Sequence, residues 1–268
     1  MQEIRELGEV SWTYDEIRNT IPDFLEIYKQ KPIDDNQGGM KSPHMFATWF
    51  LLKKINPKNV IESGVWKGQG TWLIEKTLPD AKIYSIDLNL SKREYLSEKV
   101  MYFDTDFFNI DWSIIQEKEN TILFFDDHQN AFERIKKCKG LGFKYYLFED
   151  NYPSGPGDCY SLKKAFQHAG FEPDSKERGL SKIIKTLLGK TNRVAPNSKD
   201  ASYLKRVLEI YYEFPPVFIK KKTRWGDNWD GEIYPTPLPL YEEVEHDYLR
   251  VFREEADSYT WLCYAKIR

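Results

Sequence analysis

Asn59–Thr71, NVIESGVWKGQGT, begins as a short apolar run and then turns through three glycines, Gly64, Gly68 and Gly70. Such a run reads as a strand handing over to a helix. The glycines let backbone approach a ligand closely and leave N–H groups open at the helix start. Two familiar glycine turns do not fit. A phosphate-binding P-loop ends in Gly-Lys-Ser/Thr, whereas Lys67 precedes Gly68 and Gln69 here. The dinucleotide fingerprint needs glycines at its first, third and sixth places, and Gly64 is followed by Val65 and Trp66. What stands is Glu-x-Gly-x-x-x-Gly-x-x-Thr, anchored on Glu62, Gly64 and Gly68.

Outward from this turn the same alternation repeats. KIYSIDL (82–88), VMYFDTDFF (100–108), TILFFDD (121–127) and KYYLFED (144–150) read as strands, and 70–78, 131–139 and 160–169 as helices. Strands alternating with helices predict a parallel α/β sheet wound by right-handed crossovers. Ligands on such sheets bind at the carboxyl ends of the strands, near the point where strand order reverses. Those ends carry Glu62, Asp87, Asp106, Asp126 with Asp127, and Glu149 with Asp150, so five successive strand ends are acidic.

Upstream, Ile17, Ile21, Leu25 and Tyr28 recur at helical spacing over Tyr14–Tyr28, with Pro22 as a break. IDDNQGGMKSPH (33–44) is a loop by its Gly38-Gly39 and Pro43, followed by an apolar helix, His44–Ile55. Beyond residue 171 the alternation stops: basic helix signals, a VAPNSKD loop (194–200) and RWGDNWDGEIYPTPLPLY (224–241) follow. The closing YTWLCYAKI (259–267) reads as a strand returning to the sheet. The expected division is a helical preface (1–57), an α/β core (58–170), an inserted cap or substrate region (171–256) and a terminal strand (257–268).

Composition narrows the function. Lys plus Arg number 39 and Asp plus Glu 42 in 268 residues, a formal charge of −3, which argues against general nucleic-acid or membrane-surface binding. No apolar run approaches the roughly 20 residues of a membrane span, and the mean hydropathy is −0.64. MQEIRELGEV places acids where a secretory signal has a basic and then an apolar block. Cys138, Cys159 and Cys263 lack CxxC spacing, so neither a disulfide framework nor a zinc site is indicated. A reduced, cytoplasmic setting is expected, and the composition leaves a homo-oligomer open.

The glycine turn resembles the first motif of the class I S-adenosylmethionine-dependent methyltransferases. The resemblance implies a Rossmann-like, mostly parallel sheet with an antiparallel last strand. It also implies that Glu62, Gly64 and Gly68 wrap the methionine part of the cofactor and that Asp87 holds the ribose hydroxyls. Asp106, with Asp104 as competitor, would lie near the adenine, with Phe107 to stack on it.

TILFFDDHQN and YYLFEDNY carry a second signal, two strand ends side by side, one presenting Asp-Asp-His and the other Glu-Asp-Asn. Carboxylates and an amide oxygen suit Mg²⁺ or another divalent cation, which can bind a substrate hydroxyl and lower its pKa. The pattern is similar to the metal-dependent O-methyltransferases of the catechol and caffeoyl-coenzyme A type. That likeness implies Asp127, Asp150 and Asn151 as metal ligands. The Asp127-His128 form and the NQGG loop are similar to the cephalosporin hydroxylase and macrocin O-methyltransferase group. Where the catechol type has a lysine as general base this chain has Asn130, so His128 is the expected base, its ordinary pKa suiting proton abstraction. Met40 and Lys41 are expected to close over the cofactor, and His44 to cap or pack.

Trp225, Trp229 and Tyr234, set among Asp and Asn, suit stacking on a hydroxylated, sugar-like small molecule, and equally on an aromatic phenol. The expected activity is methyl transfer to a hydroxyl of such a molecule. Two other readings share the acidic rim: a metal-dependent hydrolase or lyase, and a non-catalytic cofactor- or partner-binding module.

Overall fold

The computed structural model describes residues 6–154, 157, 159–170, 197–219, 221–222, 226, 228–232, 235–243, 246–255 and 262–268. Its centre is an eight-stranded sheet. In chain order the strands are β1 (Glu6–Leu7), β2 (Asn59–Ser63), β3 (Lys82–Ile86), β4 (Val100–Phe103), β5 (Thr121–Phe125), β6 (Tyr145–Phe148), β7 (Leu208–Glu213) and β8 (Cys263–Ile267). Across the sheet they lie in the order β4-β3-β2-β5-β6-β8-β7-β1. β2 to β6 are parallel, while β8 runs antiparallel between β6 and β7, and β1 antiparallel on the outer edge. This is the Rossmann-like arrangement expected from the sequence.

Both faces of the sheet are covered, which is why its strands read as unbroken apolar runs. Side chains alternate along each strand. Val60, Ile83, Phe124 and Leu147 face one core, shared with α1 (Tyr14–Asn19), α2 (Ile21–Tyr28), α3 (Ser42–Ile55) and α4 (Gln69–Thr77). Ile61, Tyr84, Leu123 and Tyr146 face the other, built with α5 (Ala131–Gly140), α6 (Leu162–Phe166) and α7 (Ser198–Val207). The last helix, α8 (Arg250–Glu255), brings Phe252 onto Phe24 and Phe46 of the first core. α3 is buried on every side from Ser42 to Leu52, so it has no polar stripe. The aromatic wealth of the sequence thus lies largely in two sheet–helix layers.

The expected helix Tyr14–Tyr28 is two helices. Thr13 and Glu16 form a capping box for the first, and Pro22 sits in the first turn of the second, where its missing N–H costs nothing. The stretch expected as an insertion contributes to the sheet: α7 and β7 both lie within 171–256. No glycine or proline separates Val207 from Leu208, so a helix passes directly into a strand and the change of period leaves little mark on the sequence. Among the described residues no helix is long and apolar enough to cross a membrane.

Strand order reverses between β2 and β5. The chain steps from β2 outward to β3 and β4, then resumes on the other flank of β2 with β5 and β6. The carboxyl ends of β2 and β5 therefore flank the crevice where such sheets bind ligands.

Candidate functional site

A cleft of about 250 Å³ opens at this reversal. One wall is the turn after β2. Gly64 (φ 103°), Trp66 (φ 50°) and Gly68 (φ 94°) all take left-handed backbone, which Gly adopts readily and Trp does not. Asp87, at the end of β3, holds the turn in place: its Oδ2 accepts the backbone N–H groups of Val65 and Trp66, both at 3.0 Å, and its Oδ1 accepts that of Asn89 at 2.8 Å. The 35–39 loop is strapped onto the same turn. Trp66 Nε1 donates to the carbonyl of Gln37 at 3.1 Å, and Lys67 Nζ to that of Asp35 at 2.6 Å. Gly38 and Gly39 line the cleft as a result. Met40, expected to close over a ligand, is instead buried in the first core, where its sulfur accepts from Thr48.

Glu62 lies behind this wall, fully buried, with Oε2 accepting the hydroxyls of Thr71 at 2.5 Å and Ser85 at 2.6 Å. Burial pushes its carboxyl up to about 7 despite those two hydrogen bonds. It is not among the residues that line the cleft. Asp106 lines the far end and caps a short 3₁₀ turn by accepting from Phe108 N at 2.8 Å. Phe107 meets the cleft beside it, but its ring is wholly buried against Trp112 and Phe125, so it is a core residue rather than an open stacking face.

The other wall carries the acids. Asp126, His128 and Asp150 each bring a ligand atom within 4.8 Å of the others. His128, at φ 52°, is turned so that Nδ1 faces Asp150 Oδ2 at 3.3 Å, while half of its side chain stays exposed. Asp126 is held well above the ordinary carboxylate range, first by burial and then by the charges of Glu149, Asp150, Glu62 and Asp127. Behind them Glu149 is bonded to Nδ1 of the buried His44. Burial would raise the Glu149 carboxyl, but the charge and hydrogen bond of His44 outweigh it and hold the group at about 2.

The arrangement differs from the trio Asp127, Asp150 and Asn151 expected from the sequence. Asp127 Oδ2 accepts from Arg134 Nη2 at 2.6 Å and from Ser63 Oγ at 2.7 Å. Asn151 is fully buried, its amide oxygen bonded by the Lys163 N–H at 3.0 Å and its NH₂ by the Tyr211 hydroxyl at 2.8 Å. Phe125 lies opposite Phe148 in the β5–β6 register, so strand parity alone would set Asp127 opposite Asp150; the chain leaves the strand at this point, and it is Asp126 that joins His128 and Asp150 in the cluster. Asn130 caps α5, its side chain accepting from Glu133 N at 3.0 Å.

Arg134 gave no signal in sequence beyond its place in α5, between the buried Phe132 and Ile135. It is 4% exposed, lines the cleft, and lies over the rings of Phe107, Phe108 and Phe125 at 5.4, 4.8 and 5.0 Å. Of the expected acceptor-side aromatics, Trp225 and Tyr234 lie outside the described residues. Trp229 is half-buried and packs against Tyr152 and Cys159, and the Cys159 thiol donates to the carbonyl of Asp150 at 3.3 Å. The 228–230 stretch therefore sits next to the acidic cluster.

No family model matches the chain, and no curated protein matches it. Solved structures do. The apo structure of CmcI is 17% identical, with a TM-score of 0.36 over 60% of this chain and 66% of its own. A Mg-SAM structure of CmcI is 22% identical, with a TM-score of 0.33 over 45% and 58%. The SAH-bound Podospora anserina methyltransferase PaMTH1 is 12% identical, with a TM-score of 0.43 over 78% and 95%. The chain spans less than two thirds of the two CmcI chains. At these identities and scores the likeness is distant, and the chemistry of the site rests on its own residues.

Proposed function

We propose that this chain is an S-adenosylmethionine-dependent O-methyltransferase assisted by a divalent cation. The observation that carries the proposal is the meeting of two half-sites at one sheet reversal. A glycine turn fastened by Asp87 forms one wall of the cleft, and Asp126 and His128 lie on the other, with Asp150 next to them outside the lining.

The residues fit both groups. The cleft lining includes Gly38, Gly64, Asp87, Thr105 and Asp106, glycine backbone with carboxylates beside it, which suits a ligand that carries a ribose. The exposed Leu88 beside Asp87 offers an apolar face for a base. The Asp126 and Asp150 carboxylates are hard oxygen donors suited to Mg²⁺ or another divalent ion, with the His128 imidazole beside them. The Asp126 carboxyl is raised first by burial and then by four neighbouring carboxylates, whose charge such an ion would offset. When bound, the cofactor supplies an electrophilic methyl group and the cation lowers the pKa of an acceptor hydroxyl.

The chain's own residues then do three things. Gly64, Gly68 and Asp87 bind and orient the donor. Asp126 and Asp150 would hold the cation, and the walls of the cleft position the acceptor beside the donor. His128 takes the acceptor proton on its imidazole, and the Asp150 carboxylate facing Nδ1 stabilises the imidazolium that forms. The acceptor is a small hydroxylated molecule, sugar-like in class, lying against the half-buried Trp229. Titration calorimetry with S-adenosylhomocysteine, then transfer of labelled methyl from S-adenosylmethionine to a panel of hydroxylated sugars and phenols with and without Mg²⁺, tests this. Absence of S-adenosylhomocysteine binding at millimolar concentration would sink it.

A further inference from the structure

Next to the acidic cluster, outside the cleft, four polar side chains form one connected set of hydrogen bonds. Asn151, clamped between Lys163 N–H and the Tyr211 hydroxyl, is its first member. The Tyr211 hydroxyl donates to Glu213 Oε1 at 2.8 Å, and the Lys163 ammonium bonds Glu213 Oε2 at 2.5 Å. That same ammonium donates to the carbonyl of Pro235. None of Asn151, Lys163, Tyr211 and Glu213 is more than 1% exposed. The turn after β6, α6, β7 and Pro235 all meet there.

A buried Lys–Glu pair adds little net stability over apolar residues of the same shape, so stability alone does not account for it. A fully satisfied polar network does fix one arrangement of the parts it joins. Trp229 reaches the Asp150–Asn151 turn through Cys159, whose thiol bonds the Asp150 carbonyl, and the 235–241 segment reaches it through Lys163, whose ammonium bonds the Pro235 carbonyl and whose N–H bonds Asn151. The far end of that segment is tied elsewhere, by the N–H groups of Leu240 and Tyr241 on the carbonyls of Pro216 and Val217 at 2.8 and 3.1 Å. A cation that fixes Asp150 also fixes the backbone of the next residue. Asn151, held at both ends of its amide, cannot absorb a shift by rotating.

We infer that Lys163 is a positioning residue: it couples the 235–241 segment to the Asp150–Asn151 turn, so that cation binding at the acidic cluster orders the acceptor-side wall. The inference rests on the metal-assisted reading above. Linkage makes the effect reciprocal, since an ordered wall tightens cation binding by the same factor. The order of events that follows is cation first, acceptor second.

Mn²⁺ alone is the probe, with hydrogen exchange at the Leu240 and Tyr241 amides as the readout, in the full chain and in the Lys163→Met/Glu213→Gln double variant. Tyr211→Phe, which removes only one hydroxyl from the network, is the milder second variant. In the parent chain saturating Mn²⁺ slows exchange at these amides by about tenfold. In the double variant Mn²⁺ still binds, the slowing falls below about twofold, and S-adenosylhomocysteine affinity stays within about twofold of the parent. Tyr211→Phe lies between. Mn²⁺ binding to the parent without slowed exchange overturns the coupling, as does slowing that survives in both variants. A parallel loss of S-adenosylhomocysteine affinity also overturns it, because that marks general loosening. Failure of Mn²⁺ to bind the parent chain is a different result: it removes the metal reading and the coupling with it.

Discussion

A Cβ on Gly64 would lie 1.9 Å from the carbonyl oxygen of Asp126, so the turn after β2 and the acid-bearing end of β5 are fitted backbone to backbone. The Asp126 N–H donates to the carbonyl of Ser63 at 2.8 Å and seals the same junction. Gly64→Ala must move one wall of the cleft, and its φ of 103° adds strain of about 1–2 kcal/mol. S-adenosylhomocysteine affinity, read by calorimetry, falls by about tenfold or more. Gly140→Ala is the control: a Cβ there meets nothing within 4 Å, and the change is neutral or stabilising by about 0.5–1 kcal/mol. A folded Gly64→Ala variant with parental affinity would take the turn out of the cofactor site.

Glu62 gives a pH signature. Its folded pKa of about 7 stands above its unfolded value, so the folded state binds its proton more tightly. Stability from this group is therefore complete below the unfolded pKa and is lost as pH rises toward 7. Glu62→Gln keeps an acceptor for Thr71 and Ser85 and cannot ionise. The variant matches the parent in urea denaturation at pH 4 and gains on it by up to about 3 kcal/mol at pH 8. Because Glu62 lies behind the cleft wall, S-adenosylhomocysteine affinity is unchanged. A variant that loses affinity without gaining stability at pH 8 would return Glu62 to the ligand.

The parallel core and the location of the site were legible because both rest on local signals. Strand-length apolar runs, glycine turns and an acid at each strand end mark where β2 to β6 stop, and the switch point follows from their order. What was not legible depends on side-chain direction across distant elements. TILFFDDHQN shows two adjacent carboxylates; the β5–β6 register alone would set Asp127 opposite Asp150, and only the path of the chain as it leaves β5 brings Asp126 into the cluster. Asn151 reads as a hard oxygen donor until Tyr211 and Lys163, from β7 and α6, occupy its amide. β7 itself went unseen because its apolar residues continue the pattern of α7 without punctuation. His44 reads correctly as a packed residue, yet its partner Glu149 is 105 positions away.

The donor set makes separable predictions for each acid. Asp126→Asn and Asp150→Asn each weaken Mn²⁺ binding by about tenfold or more, whereas Asn151→Asp does not improve it. The raised Asp126 carboxyl must lose its proton to ligate, so binding releases a proton and affinity climbs as pH rises above the ordinary carboxylate range. That slope disappears in Asp126→Asn. His128 is tested in the same assay. As a base its replacement by Asn leaves Mn²⁺ affinity nearly intact and removes methyl transfer, and as a ligand it costs both. Equal Mn²⁺ affinity for the parent and Asp126→Asn would move the cation elsewhere.

Arg134 and Asp127 form a pair whose worth a double-mutant cycle can isolate. The guanidinium is buried among three phenyl rings and bonds Asp127 at 2.6 Å, so Met can fill its space among the rings but cannot answer the carboxylate. Arg134→Met alone costs about 3 kcal/mol or more, because it leaves a buried acid without its cation. The Asp127 pKa, already raised by burial although Arg134 opposes the rise, moves further up in this variant. A folded pKa displaced upward destabilises progressively as pH increases, so the loss is larger at pH 8 than at pH 5. Asp127→Asn removes the charge that needs answering, and adding it to Arg134→Met recovers most of the loss, for a coupling of about 2–3 kcal/mol by urea denaturation. Mn²⁺ affinity in the double variant stays close to that of the parent, since neither side chain belongs to the Asp126, His128 and Asp150 cluster. Additive losses, or Mn²⁺ binding that fails with Asp127→Asn, would make Asp127 a ligand after all.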